Sequence, residues 1–118
     1  IKLYNEGGWS PPNLNEVLFS FSANQEKDIR QIILMLTNNG RLIRLNEELY
    51  MTDKWVNQAI QQLKGHFKNN TELTASDFRK MLGTTRKYAI PLLEHLDSVK
   101  ITKRLPTGTR KLLQTPVI

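Results

Sequence analysis

The stretch TASDFRKMLGTTRKYAIPLLEHLDSVKITKRLPTGTRKLL, residues 74–113, combines two helix patterns, a turn between them and a hairpin pattern after them. Thr74 followed by Asp77 is a capping signature that predicts the start of a short helix. Gly83 ends that helix, and the apolar stripe from Ala89 to Leu96 predicts a second one. The segment KITKRLPTGTRKLL predicts strand, turn and strand. A helix-turn-helix followed by a hairpin is the winged-helix arrangement.

The first part of the chain repeats this order. Asn13 with Glu16 predicts a helix start, and a longer helical stripe follows until Gly40 ends it. The segment RLIRLNEELYMT predicts a hairpin, and Thr52 after it is expected to cap a helix over about 53–68. The architecture thus recurs at a spacing of about 60 residues, which indicates an internal duplication.

We therefore predict a mainly helical α+β chain of two tandem winged-helix modules. The first module is assigned to residues 1–52, with most of its first helix removed by truncation, and the second to residues 53–118. Phe78 lies at core spacing in the second module. Phe19 and Phe21 are expected to do the same in the first.

The composition argues against an enzyme. The 118 residues include no cysteine and two histidines, which lie outside any metal-ligand spacing. There is no glycine-rich phosphate loop and no catalytic triad motif. We expect no catalytic residue, metal or cofactor in this fragment. No apolar run is long enough for a membrane span, and a cytoplasmic location is expected.

The positive charge is unevenly distributed along the chain. Residues 1–70 contain eight Lys+Arg and seven Asp+Glu, whereas residues 71–118 contain nine and four, out of a net +6. Such an excess is typical either of a solvated basic surface or of a nucleic-acid-binding face, and it favours an acidic partner.

The start of the second helix is the sharpest candidate for such a face. In a helix-turn-helix these residues face the nucleic acid, and helix N-termini attract phosphate. Arg86 and Lys87 oppose the helix dipole there, which a sequence shaped only for stability would avoid. Tyr88 is expected either to stack on a base or to be buried. The full set of candidate binding residues is Ser76, Arg79, Thr85, Arg86, Lys87, Tyr88, Lys103, Arg104 and Arg110.

The segment LTASDFRKMLGTTRKYAIPLLEHLDSVKITKRL, residues 73–105, resembles the last winged-helix module of bacterial selenocysteine-specific elongation factors. The run GTTRKYAIPLLEHLD, followed by a Lys-Arg hairpin, is the most specific part. The preceding PPNLNEVL and LTNNGRLIRLNEELYMT segments resemble the penultimate module more loosely. Together they cover nearly the whole chain.

The resemblance implies the C-terminal arm of a translation GTPase, which binds an mRNA hairpin, the selenocysteine insertion element, near a UGA codon. The GTPase and tRNA-binding domains would lie N-terminal to this fragment and would hold GTP and Mg²⁺. Ribosome and selenocysteyl-tRNA would be partners of the full-length protein, and the fragment is expected to be a monomer. By position, the RNA surface would be the Arg86–Tyr88 helix start and the wing from Lys103 to Arg110.

Two alternatives stay open on the residues alone. A winged helix can insert its recognition helix into duplex DNA as a transcription regulator, although no heptad seam for a dimer is visible. The module can also bind another protein, which predicts a partner insensitive to salt. The near-neutral charge of the first module is compatible with a protein-binding or spacer role.

Overall fold

Each half of the chain folds as three helices followed by a two-stranded hairpin in this computed structural model, which describes residues 2–19 and 23–113. The first half contains α1 (Lys2–Gly7), α2 (Leu14–Phe19), a 3₁₀ turn (Ala23–Gln25), α3 (Glu26–Asn38), β1 (Leu42–Arg44) and β2 (Tyr50–Thr52). The second half contains α4 (Asp53–Phe67), α5 (Ala75–Leu82), α6 (Arg86–Ser98), β3 (Thr102–Arg104) and β4 (Arg110–Leu112). The predicted mainly helical α+β architecture with two hairpins is present.

The chain divides into two units, Ile1–Asn57 and Gln58–Ile118, and the division falls within α4. The sequence predicted a module boundary after residue 52, which is where α4 starts. That boundary stays a prediction. The repeat itself is regular. Helix α6 starts at Arg86 and α3 at Glu26, so equivalent positions are 60 residues apart.

A single residue before the second helix of each unit pairs with the hairpin. Asn13 forms an antiparallel bridge with Leu49, and Leu73 forms one with Arg110. The Leu73 N–H donates to the Arg110 carbonyl and the Arg110 N–H to the Leu73 carbonyl, both at 2.8 Å. Each wing thereby gains a third, very short strand, which ties the hairpin to the segment that enters the helix-turn-helix.

The core of the first unit takes one buried residue from each of its three α-helices and one from β1. Tyr4, Val17, Ile33 and Leu42 form a buried cluster. The Asn13 cap is confirmed, because the Glu16 N–H donates to its Oδ1 at 2.8 Å.

Phe19 does not belong to this core, because its side chain is 93% exposed. It lies two residues after the buried Val17, and helix positions two apart face opposite directions. The prediction of Phe19 as a core residue is wrong. Phe21 lies outside the described residues.

Thr52 does not cap α4 as predicted. Its side chain is 1% exposed, and its hydroxyl has no hydrogen-bond partner in the described part of the chain. Asp53 begins the helix instead, and its carboxylate accepts the Lys54 N–H at 2.9 Å. Thr52 sits at the end of β2, where its side chain points into the unit instead of along the helix axis.

The second unit is packed as its apolar stripe predicts. Thr74 caps α5 by accepting the Asp77 N–H at 3.0 Å, and Gly83 closes the helix in the left-handed conformation. The buried apolar residues of the unit are Ala59, Leu63, Leu73, Phe78, Leu82, Ala89, Leu92, Leu93 and Leu96. Within residues 2–19 and 23–113, no helix combines the length and apolar character that a membrane crossing requires.

Candidate nucleic-acid interface

The turn between α5 and α6 fixes the start of the recognition helix. Gly83 has a φ of +68°, and its N–H donates to the Lys80 carbonyl at 3.2 Å. The next N–H, of Thr84, donates to the Arg79 carbonyl at 3.2 Å, and Thr84 is buried. Thr85 then returns to extended backbone and α6 begins. The turn is anchored to α5, so the first turn of α6 has a defined direction.

The first turn of α6 lacks the side-chain cap and the acidic residues that normally stabilise a helix start. Thr85 has N-cap backbone geometry, but its side chain makes no capping hydrogen bond. The turn contains no acidic residue, and Arg86 and Lys87 are both exposed. The equivalent first turn of α3 contains Glu26 and Asp28. The start of α3 also lacks a side-chain cap, but its acidic residues complement the free N–H groups. In α6 the free N–H groups coincide with two cations and no acidic residue, so this helix start is suited to an anion.

Tyr88 lies at the edge of this surface. Its ring is half-buried, and Lys87 Nζ lies 5.4 Å from the ring centroid, within cation–π range. Intermediate burial does not decide between the two expectations for Tyr88, and base stacking stays a prediction. A base that stacks on Tyr88 would compete with the Lys87 ammonium for the ring.

The wing presents a pair of lysines on its outer face. Strands β3 and β4 are antiparallel, and Lys103 stands directly opposite Lys111. Both side chains are exposed. Like charges directly opposite each other on one face of a hairpin are destabilising. Arg104, also exposed, belongs to the other face, as the alternation along a strand requires.

Arg110 differs from the other predicted site residues because it is buried, at 5% exposure. Its Nε and Nη2 atoms donate to Asp97 Oδ2 at 3.3 Å, and Nη1 donates to the Gly108 carbonyl at 3.3 Å. The register explains this position, since Arg110 shares the inward face of the hairpin with Thr102. Its guanidinium is engaged within the unit, and its predicted contact with RNA stays a prediction.

Ser76 and Arg79 both lie on α5, where Ser76 is exposed and Arg79 is half-buried. The predicted binding residues of the second unit thus lie on or directly beside three elements, α5, α6 and the wing.

Asp97 and Thr102 were missed by sequence reasoning. Asp97 accepts a hydrogen bond from the Thr102 hydroxyl at 2.6 Å on Oδ1, in addition to the Arg110 bonds on Oδ2. A carboxylate in the last turn of a helix opposes the dipole, and that is the signal that could have singled out Asp97.

The two units differ in charge more than the sequence halves do. The first unit has six Lys+Arg and seven Asp+Glu, a net −1, and the second has eleven and four, a net +7. In the described residues, no three His, Asp or Glu side chains group as metal ligands. The exposed cations and the half-buried Tyr88 ring of the second unit offer electrostatic and stacking contacts.

Comparison with known proteins points to one family. A family profile described as "Elongation factor SelB, winged helix" matches residues 65–112. A selenocysteine-specific elongation factor from Desulfomicrobium baculatum is 35% identical over 102 residues. That match covers 86% of this chain but 16% of the relative, so the chain spans about a sixth of the length of that protein.

Two solved structures share the fold. The crystal structure of the bacterial selenocysteine-specific elongation factor EF-Sec has a TM-score of 0.71 at 24% identity, covering 86% of this chain and 16% of that one. The mRNA-binding domain of elongation factor SelB from E. coli, solved in complex with SECIS RNA, has a TM-score of 0.69 at 22% identity, covering 75% and 73%. The chain belongs to the SelB family of selenocysteine-specific elongation factors, of which it represents the C-terminal winged-helix region.

Proposed function

We propose that this chain is the mRNA-hairpin-binding region of a selenocysteine-specific translation elongation factor. It recognises the selenocysteine insertion element and tethers the factor near a UGA codon. The observation that carries the proposal is the uncapped, cationic start of α6 in the unit of net +7. The E. coli SelB domain in complex with SECIS RNA supports the choice of ligand.

The second unit provides the RNA surface. Thr85 and the exposed Arg86 and Lys87 take phosphates or base edges at the start of α6, and Tyr88 stacks on an unpaired base. Lys103 and Lys111 take backbone phosphates on the outer face of the wing, and Arg104, which is exposed on the opposite face, adds a further phosphate contact. Ser76 and Arg79 add backbone contacts from α5. Arg110 supports the wing from within.

The form of RNA follows from groove geometry. The deep, narrow major groove of an A-form helix excludes a protein helix. The start of α6 therefore reads bases that a loop or bulge exposes, while the wing lysines hold the flanking phosphates. This division gives α6 the sequence-specific contacts and the wing the salt-dependent ones.

The remaining activities belong to other parts of the full-length factor. GTP, Mg²⁺ and selenocysteyl-tRNA bind N-terminal domains, and the ribosome is reached through the whole protein. This region itself is not an enzyme, acts as a monomer in the cytoplasm, and confines RNA binding to the module 53–118.

Lys87→Ala tests the assignment, and Lys27→Ala is its matched control. Lys27 is exposed in the first turn of α3, 60 residues before Lys87. Binding to SECIS RNA hairpins that vary in loop and bulge bases is measured by fluorescence anisotropy. We expect Arg86→Ala or Lys87→Ala to weaken binding by about 1–3 kcal/mol. Lys27→Ala is expected to leave it unchanged.

The same titration distinguishes the function from DNA regulation. Wild-type affinity in Arg86→Ala contradicts the assignment of the site, and equal affinity for duplex DNA and for the RNA hairpins contradicts the RNA function. Lys111→Ala is expected to lower the dependence of log K on log salt by about one unit, with a smaller loss of affinity than Arg86→Ala.

A further inference from the structure

We propose that Asp97 is a positioning residue for RNA binding. Its negative charge repels RNA, but it promotes binding by holding the wing in place. The proposal rests on the function proposed above. Asp97 lies near the end of α6 and bonds to both strands of the wing. It accepts the Thr102 hydroxyl from β3 at 2.6 Å and the Arg110 guanidinium from β4 at 3.3 Å. We call these three residues the Asp97 network.

The Asp97 network has features that usually lower the stability of a folded protein. The carboxylate lies in the last turn of α6, where it opposes the helix dipole. Arg110 is 5% exposed, so its guanidinium loses most of its hydration and needs a partner. Replacing a buried ion pair with apolar side chains is often neutral or stabilising.

The first unit forms the same fold with other residues at these positions. Sixty residues before Asp97, Thr102 and Arg110 stand Thr37, Leu42 and Tyr50. The Thr37 hydroxyl donates to the Ile33 carbonyl of its own helix at 2.7 Å, and Tyr50 packs edge-on against Tyr4. A wing can thus be packed on its helix without an ion pair. The ion pair between Asp97 and Arg110 occurs in the second unit, which has the net positive charge.

The network fixes the residues that are proposed to bind phosphate. Lys103 follows Thr102 directly, and Lys111 follows Arg110, so each outward lysine neighbours a member of the network. Arg110 also holds the wing turn, through its bond to the Gly108 carbonyl, and the preceding segment, through its bridge to Leu73. Asp97 thereby sets the position of the lysine pair relative to α6.

Asp97→Asn tests the inference, and Glu94→Gln is its control. Glu94 is an exposed carboxylate on the same helix, one turn earlier, so both substitutions remove one negative charge. If charge alone matters, both variants bind RNA as tightly as the wild type or more tightly. If Asp97 positions the wing, we expect Asp97→Asn to weaken binding roughly tenfold while Glu94→Gln does not weaken it.

A double-mutant cycle separates positioning from direct contact. Arg110→Gln and Asp97→Asn are expected to weaken binding similarly, and the double variant no further than either one. Additive losses would identify Arg110 as an independent RNA contact and overturn the inference. Binding is measured at a temperature at which circular dichroism shows every variant folded. If Asp97→Asn does not fold, Thr102→Val removes only the Oδ1 bond, and unchanged affinity in that variant overturns the inference.

The outcomes distinguish this inference from the function on which it rests. If the wild type binds none of the SECIS RNA hairpins, the proposed function fails, and the inference with it. If the wild type binds and Arg86→Ala does not, but Asp97→Asn binds as well as the wild type, the inference fails and the function stands.

Discussion

Lys100 occupies in the second unit the position that Gly40 occupies in the first, and both have a left-handed backbone, with φ of 64° and 78°. Their N–H groups donate to equivalent carbonyls, of Asp97 and Thr37, both at 3.1 Å. The following N–H groups, of Ile101 and Arg41, reach the carbonyls of Leu96 and Leu36. Both helices therefore end in the same Schellman-type turn, but only the first has the glycine that such a turn prefers.

Lys100→Gly is expected to stabilise the second unit by about 0.5–1 kcal/mol, because it removes the strain of a left-handed backbone at a lysine. The greater conformational entropy of glycine in the unfolded chain offsets part of this gain. Urea denaturation followed by circular dichroism measures the change. Gly40→Ala is the reciprocal control and should destabilise the first unit. A loss of stability in Lys100→Gly would show that the lysine side chain contributes more than its backbone costs.

Thr85→Asp is expected to stabilise α6 and to weaken RNA binding. Thr85 has the backbone of an N-cap without the side-chain bond, so an aspartate there can cap the helix and favour its dipole, by about 0.5–1 kcal/mol. The same carboxylate repels the phosphate that the proposed site attracts. Thermal unfolding and RNA titration on one sample check both effects, and a rise in RNA affinity would contradict the site.

Thr74→Ala, which removes a cap that is formed, should destabilise by about 1 kcal/mol.

Thr52→Val is expected to stabilise the first unit by about 1 kcal/mol, because it replaces a buried hydroxyl without a partner in the described residues by a methyl group of similar size. Thr102→Val is the matched control. Both threonines are 1% exposed, but the Thr102 hydroxyl bonds to Asp97 and its loss should destabilise. The midpoints of urea denaturation compare the two variants. Destabilisation of Thr52→Val would indicate that its hydroxyl is satisfied.

His95 is expected to make the stability of the second unit dependent on pH. Burial lowers the pKa of His95 below its ordinary value of 6.5, because it disfavours the charged imidazolium. The unfolded chain therefore binds the proton more readily, and stability falls as the pH drops through about 6.5 towards the lowered pKa of the folded state. Urea midpoints at about pH 7.5 and 5.5 should differ less in His95→Gln than in the wild type. His66→Gln, which keeps His95, should retain the difference.

The fold was predictable where the sequence contains strong local signals. The Thr74 cap, the Gly83 stop and the stripe from Ala89 to Leu96 all lie where the residues indicate. The single-residue bridges at Asn13 and Leu73 were not predicted, because one paired residue leaves no periodicity to detect. Phe19 was assigned to the core together with Phe21 by their spacing, but the helix period places it opposite the buried Val17.

The exposure of the candidate residues was predictable for some of them and not for others. The exposure of Arg86 and Lys87 follows from their position at the start of a recognition helix. The burial of Arg110 does not follow from its surroundings in sequence, because alternation along β4 does not say which face turns inward. Its partner Asp97 lies 13 residues away and across a turn, at a distance that local patterns do not cover. Whether the predicted residues contact RNA stays a prediction.

The unequal charge of the two units has a kinetic consequence for how the chain meets its ligand. With a net −1 in one unit and +7 in the other, the chain has a charge polarity that a polyanion senses before contact. An RNA of the proposed kind attracts the positive second unit from a distance during diffusion, which raises the rate of encounter. This steering weakens as salt shortens the screening length to about 8 Å at physiological ionic strength. The first unit, with its net −1, adds nothing to this attraction, so the salt dependence of the association rate is expected to come from the second unit.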